Sequence, residues 1–284
     1  MKPMQNDLQR HPVTALEDAR DMAHKAVQLV TKAARANLEA APDDSHSNLG
    51  WRDGLATFVS QPLPASSGDV FVGLNVSQLS LMTISGDEPG PHLDLAGISE
   101  GDAVKWLDEQ LVALGLQVAS TVPLPYDLPA FAAGIEVYST DGVGDALNTL
   151  SAWFSLADAK LREFAAPHSR LSPGPSPVRC WPHHFDIATY VGLEEADAET
   201  ARGVGVGMSP GDESYGQPYF YINPWPHLDT ADLPDLPPPG HWHTQGFVGA
   251  IATGEEVISL SDVETQLPIF ITAAFAIGRE KLGR

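Results

Sequence analysis

The sequence predicts an α+β fold, with antiparallel sheets covered by helices. Three observations carry this reading. Apolar stripes at helical spacing, bounded by capping residues, occur near the start, in the middle and at the end of the chain. Between them lie short apolar runs punctuated by Gly, Pro and Ser, the pattern of strands joined by hairpins. Helices and strands do not alternate one for one, which argues against a doubly wound parallel sheet.

The first twelve residues form a polar lead-in. Thr14-Ala15-Leu16-Glu17 then fits a capping box, in which the Thr hydroxyl accepts an early helical amide and Glu17 reaches back. Leu16, Ala19, Ala23, Val27, Val30 and Ala34 recur at helical spacing, and Ala41-Pro42-Asp43-Asp44-Ser45 stops the helix. Residues 51–61, 69–76 and 79–85 read as three antiparallel strands, with Gly86-Asp87-Glu88-Pro89-Gly90-Pro91 as a turn. Ser99-Glu100-Gly101-Asp102 opens a second helix striped by Val104, Leu107, Leu111 and Leu114, and Gly115 ends it.

Residues 116–140 read as extended chain broken by Pro123, Pro125 and Pro129, with a strand over 135–138. A long helix starts after Thr140 or Asp141, carries Val143, Leu147, Leu150, Ala157, Leu161 and Phe164 on one face, and ends at Pro167. Strands follow over 181–191, 203–209, 217–223 and 243–253, with a Pro-rich loop over 229–240. Thr253-Gly254-Glu255-Glu256 and Ser261-Asp262-Val263-Glu264 match further capping boxes, and Leu267, Phe270, Ile271, Ala274 and Phe275 make the closing helical face. Trp51 and Trp181 mark equivalent points, so the order of helix, three or four strands and helix reads as given twice. Residues 1–140 form an N-terminal α+β half and residues 141–284 a C-terminal half carrying the candidate site, an internal duplication by this reading.

Composition narrows the partners. The 284 residues hold 37 acidic and 16 basic side chains, a net charge of −21, and the basic ones are scattered. Phosphate backbones and anionic lipid surfaces are repelled by such a chain. No apolar run reaches membrane-spanning length, and the N-terminus lacks the apolar core of a signal peptide, so the expectation is a soluble, cytoplasmic protein. Cys180 is the only cysteine, which excludes an intramolecular disulfide and reads as a small buried hydrophobe.

The stretch 181–249 concentrates histidines and large aromatics. Read as a strand, Trp181-Pro182-His183-His184-Phe185-Asp186 puts His184 and Asp186 on one face and His183 on the other. His241 and His243 share a face, with Trp242 opposite. Asp212 and Glu213 sit in a turn between strands. If these segments converge, His183, His184, His241 and His243 can bind a divalent metal such as zinc, with Asp186 or Glu213 as ligand or base of a hydrolytic reaction. The competing reading keeps the histidines structural and makes the site a non-catalytic pocket for a small molecule or a protein partner, walled by Tyr219, Tyr221 and Trp242.

Gly203-Val204-Gly205-Val206-Gly207 alternates, so one strand face lacks side chains. The spacing is not that of a nucleotide-binding turn, since no helix or Lys follows. Two readings remain: aromatic rings from the next strand, Tyr219, Tyr221 or Trp225, lie over the bare face, which is the expectation, or a ligand approaches the backbone there.

Trp181 with Phe185-Asp186-Ile187-Ala188, then Gly207-Met208-Ser209-Pro210-Gly211, then Pro218-Tyr219-Phe220-Tyr221 ahead of a Pro-rich loop, resembles a bacterial domain-of-unknown-function family. Its pattern is a Trp-x-x-x-Phe-Asp strand, a Pro-Gly turn and a Pro-x-Phe-Tyr strand. The resemblance is firm over residues 179–225. It implies a full-length α+β protein without an established activity, and it marks Asp186 as the shared polar position.

Overall fold

The computed structural model describes residues 3–129, 134–195 and 201–283. Among them are six α-helices: α1 (Pro3–Leu8), α2 (Glu17–Asn37), α3 (Glu100–Ala113), α4 (Gly144–His168), α5 (Gly254–Ile258) and α6 (Val263–Lys281). The strands fall into two antiparallel sheets, as an α+β fold requires. The chain divides into two compact units, one of residues 1–14, 152–178 and 186–284, the other of residues 15–151 and 179–185. A single boundary at 140 does not describe this: the division falls inside α4, and the segment 179–185 joins the unit built mainly from the first half. Among the described residues no helix is long and apolar enough to cross a membrane.

The sheet of the second-named unit is built from β1 (Gly50–Arg52), β2 (Thr57–Val59), β3 (Leu63–Ala65), β4 (Gly68–Asn75), β5 (Ser80–Ser85) and β6 (Glu88–Asp94). The path is β1-β2-β4-β5-β6, with β3 paired to β4. The predicted strand 51–61 is interrupted by a 3-10 turn, Asp53–Leu55, ending at Ala56 with φ 49°. The expected turn over 86–91 is mostly strand: only Gly86 and Asp87 turn, and β6 continues through Pro89 and Pro91. Proline is tolerated there because β6 is the sheet edge, where an amide donor is dispensable. The expected strand over 135–138 reduces to one bridge, Ser99 to Val137. Part of the extended segment read over 116–140, residues 130–133, lies outside the described residues.

Helix α2 is buried on more than the one predicted face. Ala19, Ala23, Ala26, Val27, Val30 and Ala33 are in the core, and so are Arg20, His24, Gln28 and Thr31. The polar side has a partner within the same unit. Gln28 Nε2 donates to the Pro182 carbonyl at 2.8 Å, and His24 Nε2 lies 3.0 Å from the same oxygen. The His24 ring stacks on Phe185 at 5.1 Å, and Tyr126 donates to Gln28 Oε1 at 2.8 Å. The capping box expected at Thr14 does not form. The helix begins at Glu17 without a side-chain cap, because Val13–Ala15 is taken up in a 3-10 turn and Leu16 is buried.

Residues 182–185 form a turn, which corrects the reading of 181–191 as one strand. β8 (Arg179–Trp181) ends before it, and the chain bends so that the His184 and Phe185 amides both donate to the Trp181 carbonyl. Phe185 takes φ 61°, a left-handed conformation that costs a bulky residue of order 1–3 kcal/mol. Complete burial against His24 and Phe58 offsets that cost. Leu49 and Cys180 form an antiparallel bridge, so Trp181 and Trp51 stand in the same unit, not at the heads of two equivalent sheets.

The other unit's sheet follows the path β12 (His241–His243), β13 (Gly249–Thr253), β11 (Tyr219–Trp225), β10 (Gly203–Ser209), β9 (Asp186–Gly192) and β7 (Gly174–Pro175). The predicted strand over 243–253 is thus a hairpin, folded at Gly246 with φ 88°. The two sheets share a three-strand meander, but their flanking strands attach differently, which limits the repeat to that meander. One face of this sheet is a core: Ile187, Val191, Val204, Val206, Met208, Phe220 and Ile222 are all at most 1% exposed. Helix α6 packs on β10 and β11. Phe275 of α6 meets Phe164 of α4 edge-on at 5.0 Å, and Trp153 of α4 reaches Phe220 at 6.4 Å. Lys160 adds an ion pair from α4 to Glu264 of α6 at 2.6 Å. Thr253 and Glu256 complete the expected capping box of α5, whereas α6 has none: Gln266, not Glu264, receives the Asp262 amide.

His24 sets a pH dependence. Burial holds its imidazole down to about 4, against an ordinary value of 6.5. The fold therefore favours the neutral ring, and the unfolded chain takes up the proton first. The contribution is complete above pH 6.5, falls as pH drops from 6.5 to 4, and amounts to about 3 kcal/mol. Urea unfolding at pH 7 and pH 4.5 should show this loss, and His24→Gln should remove about half of the difference, because the His183 imidazole is also held down to about 4.

Candidate functional site

The face of the β9–β13 sheet opposite α6 is where the sequence-predicted aromatic and acidic residues gather. Residues paired across an antiparallel ladder point to the same side. The register places Ala188, Gly207, Tyr221, Ile251 and His241 in one row across the strands. Tyr190, Gly205 and Asn223 make the next row, and Gly192, Gly203 and Trp225 the one beyond. Alternation therefore gives this face the three glycines of β10, while Val204, Val206 and Met208 go to the core.

The glycines are needed because rings already occupy their side. A Cβ at Gly207 would fall on the Tyr221 ring and hydroxyl and 2.9 Å from Ala188 Cβ. A Cβ at Gly203 would fall on the Tyr190 ring. At Gly205, between them, the nearest atoms are Asn223 O at 3.7 Å and Tyr221 Cε2 at 3.9 Å. The expectation that aromatics cover the bare face holds for Tyr221. The second cover, Tyr190, comes from the preceding strand and was not anticipated. Its signal was legible, since Tyr190 alternates with Ala188 and Asp186 on a strand beside β10.

Carboxylates fix the tyrosines. The Tyr221 hydroxyl donates to Asp186 Oδ2, and the Tyr219 hydroxyl donates to Asp212 Oδ2 at 2.6 Å. Asp212 Oδ1 accepts the amides of Ser214 and Tyr215, so the same side chain shapes the turn after β10. Burial and the neighbouring Asp212 push the Tyr219 phenol well above its usual range, which keeps it a proton donor. Burial, with Glu256 and Asp212 adding to it, also raises Tyr215. Glu213, the other carboxylate expected here, is exposed on the turn.

His241 and His243 join this cluster through Tyr215. Tyr215 Oη lies 2.9 Å from His243 Nδ1 and 3.4 Å from His241 Nε2. His243 Nε2 sits 2.5 Å from the Gln245 carbonyl, and its ring stacks on Phe247 at 4.1 Å. A carbonyl only accepts, so His243 Nε2 carries a proton and Nδ1 accepts from Tyr215. His241 Nδ1 meets Glu256 Oε1 at 3.1 Å, and Glu256 Oε2 is bound by the Thr253 amide and hydroxyl. Each of the four ring nitrogens thus has a polar atom of the unit within 3.4 Å, and the single Tyr215 proton serves His243 rather than His241. Trp242 faces the other way and donates to the Pro234 carbonyl at 2.7 Å, pinning the Pro-rich loop.

The four histidines expected as metal ligands are not brought into one group. His183 and His184 stand on the turn of one unit, their rings 4.2 Å apart, while His241 and His243 belong to the other. His183 also meets Tyr126 at 5.5 Å, and burial together with His184 holds its imidazole down to about 4. Among the described residues, no three or more His, Cys, Asp or Glu side chains are arranged to hold a metal ion. The turn at 182–185 ends the strand alternation on which the expected His184–Asp186 pairing depended.

Comparison with protein-family models, with curated proteins and with solved structures finds no match for this chain.

Two outcomes check this arrangement. Gly207→Ala should destabilise by about 1–3 kcal/mol, since Ala188 and the tethered Tyr221 cannot both give way, whereas Gly205→Ala should be nearly neutral; denaturant unfolding of both variants measures the contrast. Protein purified without a histidine tag should keep its melting temperature in excess EDTA. Stoichiometric metal, lost in His241→Ala, would contradict the structural role of that residue.

Proposed function

We propose that this chain is a non-catalytic small-molecule-binding protein, and that the face carrying Gly203, Gly205 and Gly207 is its binding surface. One observation carries the reading. The opposite face of the same sheet is sealed, yet here Tyr190 and Trp225 stay 40% and 43% exposed beside a strand without side chains. Exposed aromatics flanking a backbone floor give wide apolar contact with hydrogen-bonding groups at the edge, as ligand sites do. The histidines serve this surface structurally, by fixing Tyr215 and the β12–β13 hairpin. A lone buried cysteine calls for no oxidising compartment, and we place the protein in the cytoplasm on that ground.

The test is a thermal-shift screen of small amines, sugars, nucleosides and aromatic acids against the full chain. A ligand at one hundred times its Kd should stabilise by about 2.7 kcal/mol. The double variant Tyr190→Ala/Trp225→Ala should melt near the parent and lose the ligand-induced shift. A shift that survives both substitutions, or none from any compound, would sink the proposal.

A further inference from the structure

We infer that acid releases the turn over residues 182–185 while the sheet of its own unit stays folded. The His184 and Phe185 amides both donate to the Trp181 carbonyl, so these bonds hold the turn's shape and not its place. Side chains of α2 and β2 hold its place. His24 and Gln28 of α2 clamp the Pro182 carbonyl, at 3.0 and 2.8 Å. The Phe185 ring stacks on His24 at 5.1 Å, with the planes 8° apart, and tilts against Phe58 of β2 at 5.8 Å. Phe185 keeps a left-handed φ of 61°, which relaxes once its ring leaves the core. A short strained segment fastened by side chains opens more readily than a strand fastened by a ladder.

The groups that fasten the turn also respond to protons. His24 is 3% exposed, packed on the Phe185 ring beside the Pro182 carbonyl. An imidazolium there loses its water and is repelled by Arg20, which Asp21 pairs at 2.9 Å and Glu17 at 3.8 Å. His183 packs beside Tyr126 at 5.5 Å, Trp181 at 6.3 Å and His184 at 4.2 Å. Two imidazoles that close repel each other once both are charged. Asp44 attracts a charge on His183, but Arg35 pairs that carboxylate at 2.8 Å. Burial first, with His184 adding to it, holds both imidazoles down to about 4.

In the open turn both rings are hydrated and take up a proton near the ordinary value of 6.5. The neutral rings therefore favour the closed turn fully above pH 6.5, and that preference falls as pH drops from 6.5 to 4. Between pH 7 and pH 4.5 a ring shifted this far raises the open fraction about 50-fold, so two raise it well over a hundredfold. Opening bares the rings of Phe185 and Phe58, both 0% exposed while the turn is closed. The turn is thus a proton-operated latch, and it stands independently of the glycine face.

Native-state amide exchange of the full chain, followed by NMR at pH 7 and pH 4.5 and expressed as protection factors, tests this. Protection of the His184 and Phe185 amides should fall a hundredfold or more on acidification. At pH 4.5 the amides of Val72 and Leu74, inside β4 of the same unit, should stay at least tenfold better protected than the turn. His24→Gln keeps a donor for the Pro182 carbonyl without a titrating ring, and His183→Gln removes the other imidazole. Each should cut the acid loss at least tenfold. Equal protection of the turn and β4 at both pH values means that the turn opens only with the whole unit, and it overturns the latch. A fall of less than a hundredfold in the parent overturns it too, as does an undiminished fall in either variant that folds. If neither variant folds, the parent's two protection profiles decide.

Discussion

The site depends on one steric constraint: the ring of Tyr221 crosses β10 to reach Asp186, and it can do so only because position 207 lacks a side chain. The hydroxyl–carboxylate bond then ties β11 to β9 over the top of β10, in addition to the ladder beneath. The same strand supplies Val204, Val206 and Met208 to the core. A single run of seven residues therefore builds a sealed face and a bare one, and its period of two decides which side chain serves which.

Around that crossing the polar groups are arranged as donors facing acceptors. Tyr219 gives its proton to Asp212, Tyr215 gives its proton to His243, and His243 gives its own to the Gln245 carbonyl. Glu256 does two jobs, capping α5 and holding His241. Satisfied networks of this kind rigidify the strands that carry them. They also leave the histidines little freedom to take up another partner.

Much of this was legible in the sequence. The α+β class followed from apolar period and punctuation, the strand 203–209 from its glycine alternation, and the cover over it from the tyrosines of β11. Asp186 and the tyrosines of β11 were legible as candidate site residues, although the bond from Tyr221 to Asp186 was not. What the sequence hid was non-local. Nothing local in Trp181-Pro182-His183-His184-Phe185 announces a turn; Phe185 accepts a left-handed backbone because His24 and Phe58 bury its ring. Nor does the stripe of α2 reveal that His24 and Gln28 are claimed by the Pro182 carbonyl, more than 150 residues away in sequence. The edge position of β6, which lets Pro89 and Pro91 sit in a strand, likewise depends on the whole sheet. Histidine spacing misled for the same reason: pairs such as His241 and His243 look like ligands until the partners of both nitrogens are known.

The central claim is that ligand meets the glycine face of β10. Amide chemical-shift mapping of the full chain during titration with the most stabilising compound of the thermal-shift screen tests it most directly. The account predicts shifts clustered at Gly203, Gly205, Gly207, Tyr190, Asn223 and Trp225, with α2 and the turn at 182–185 unmoved. Saturable shifts centred on His183 and His184, or elsewhere away from β9–β11, would contradict it.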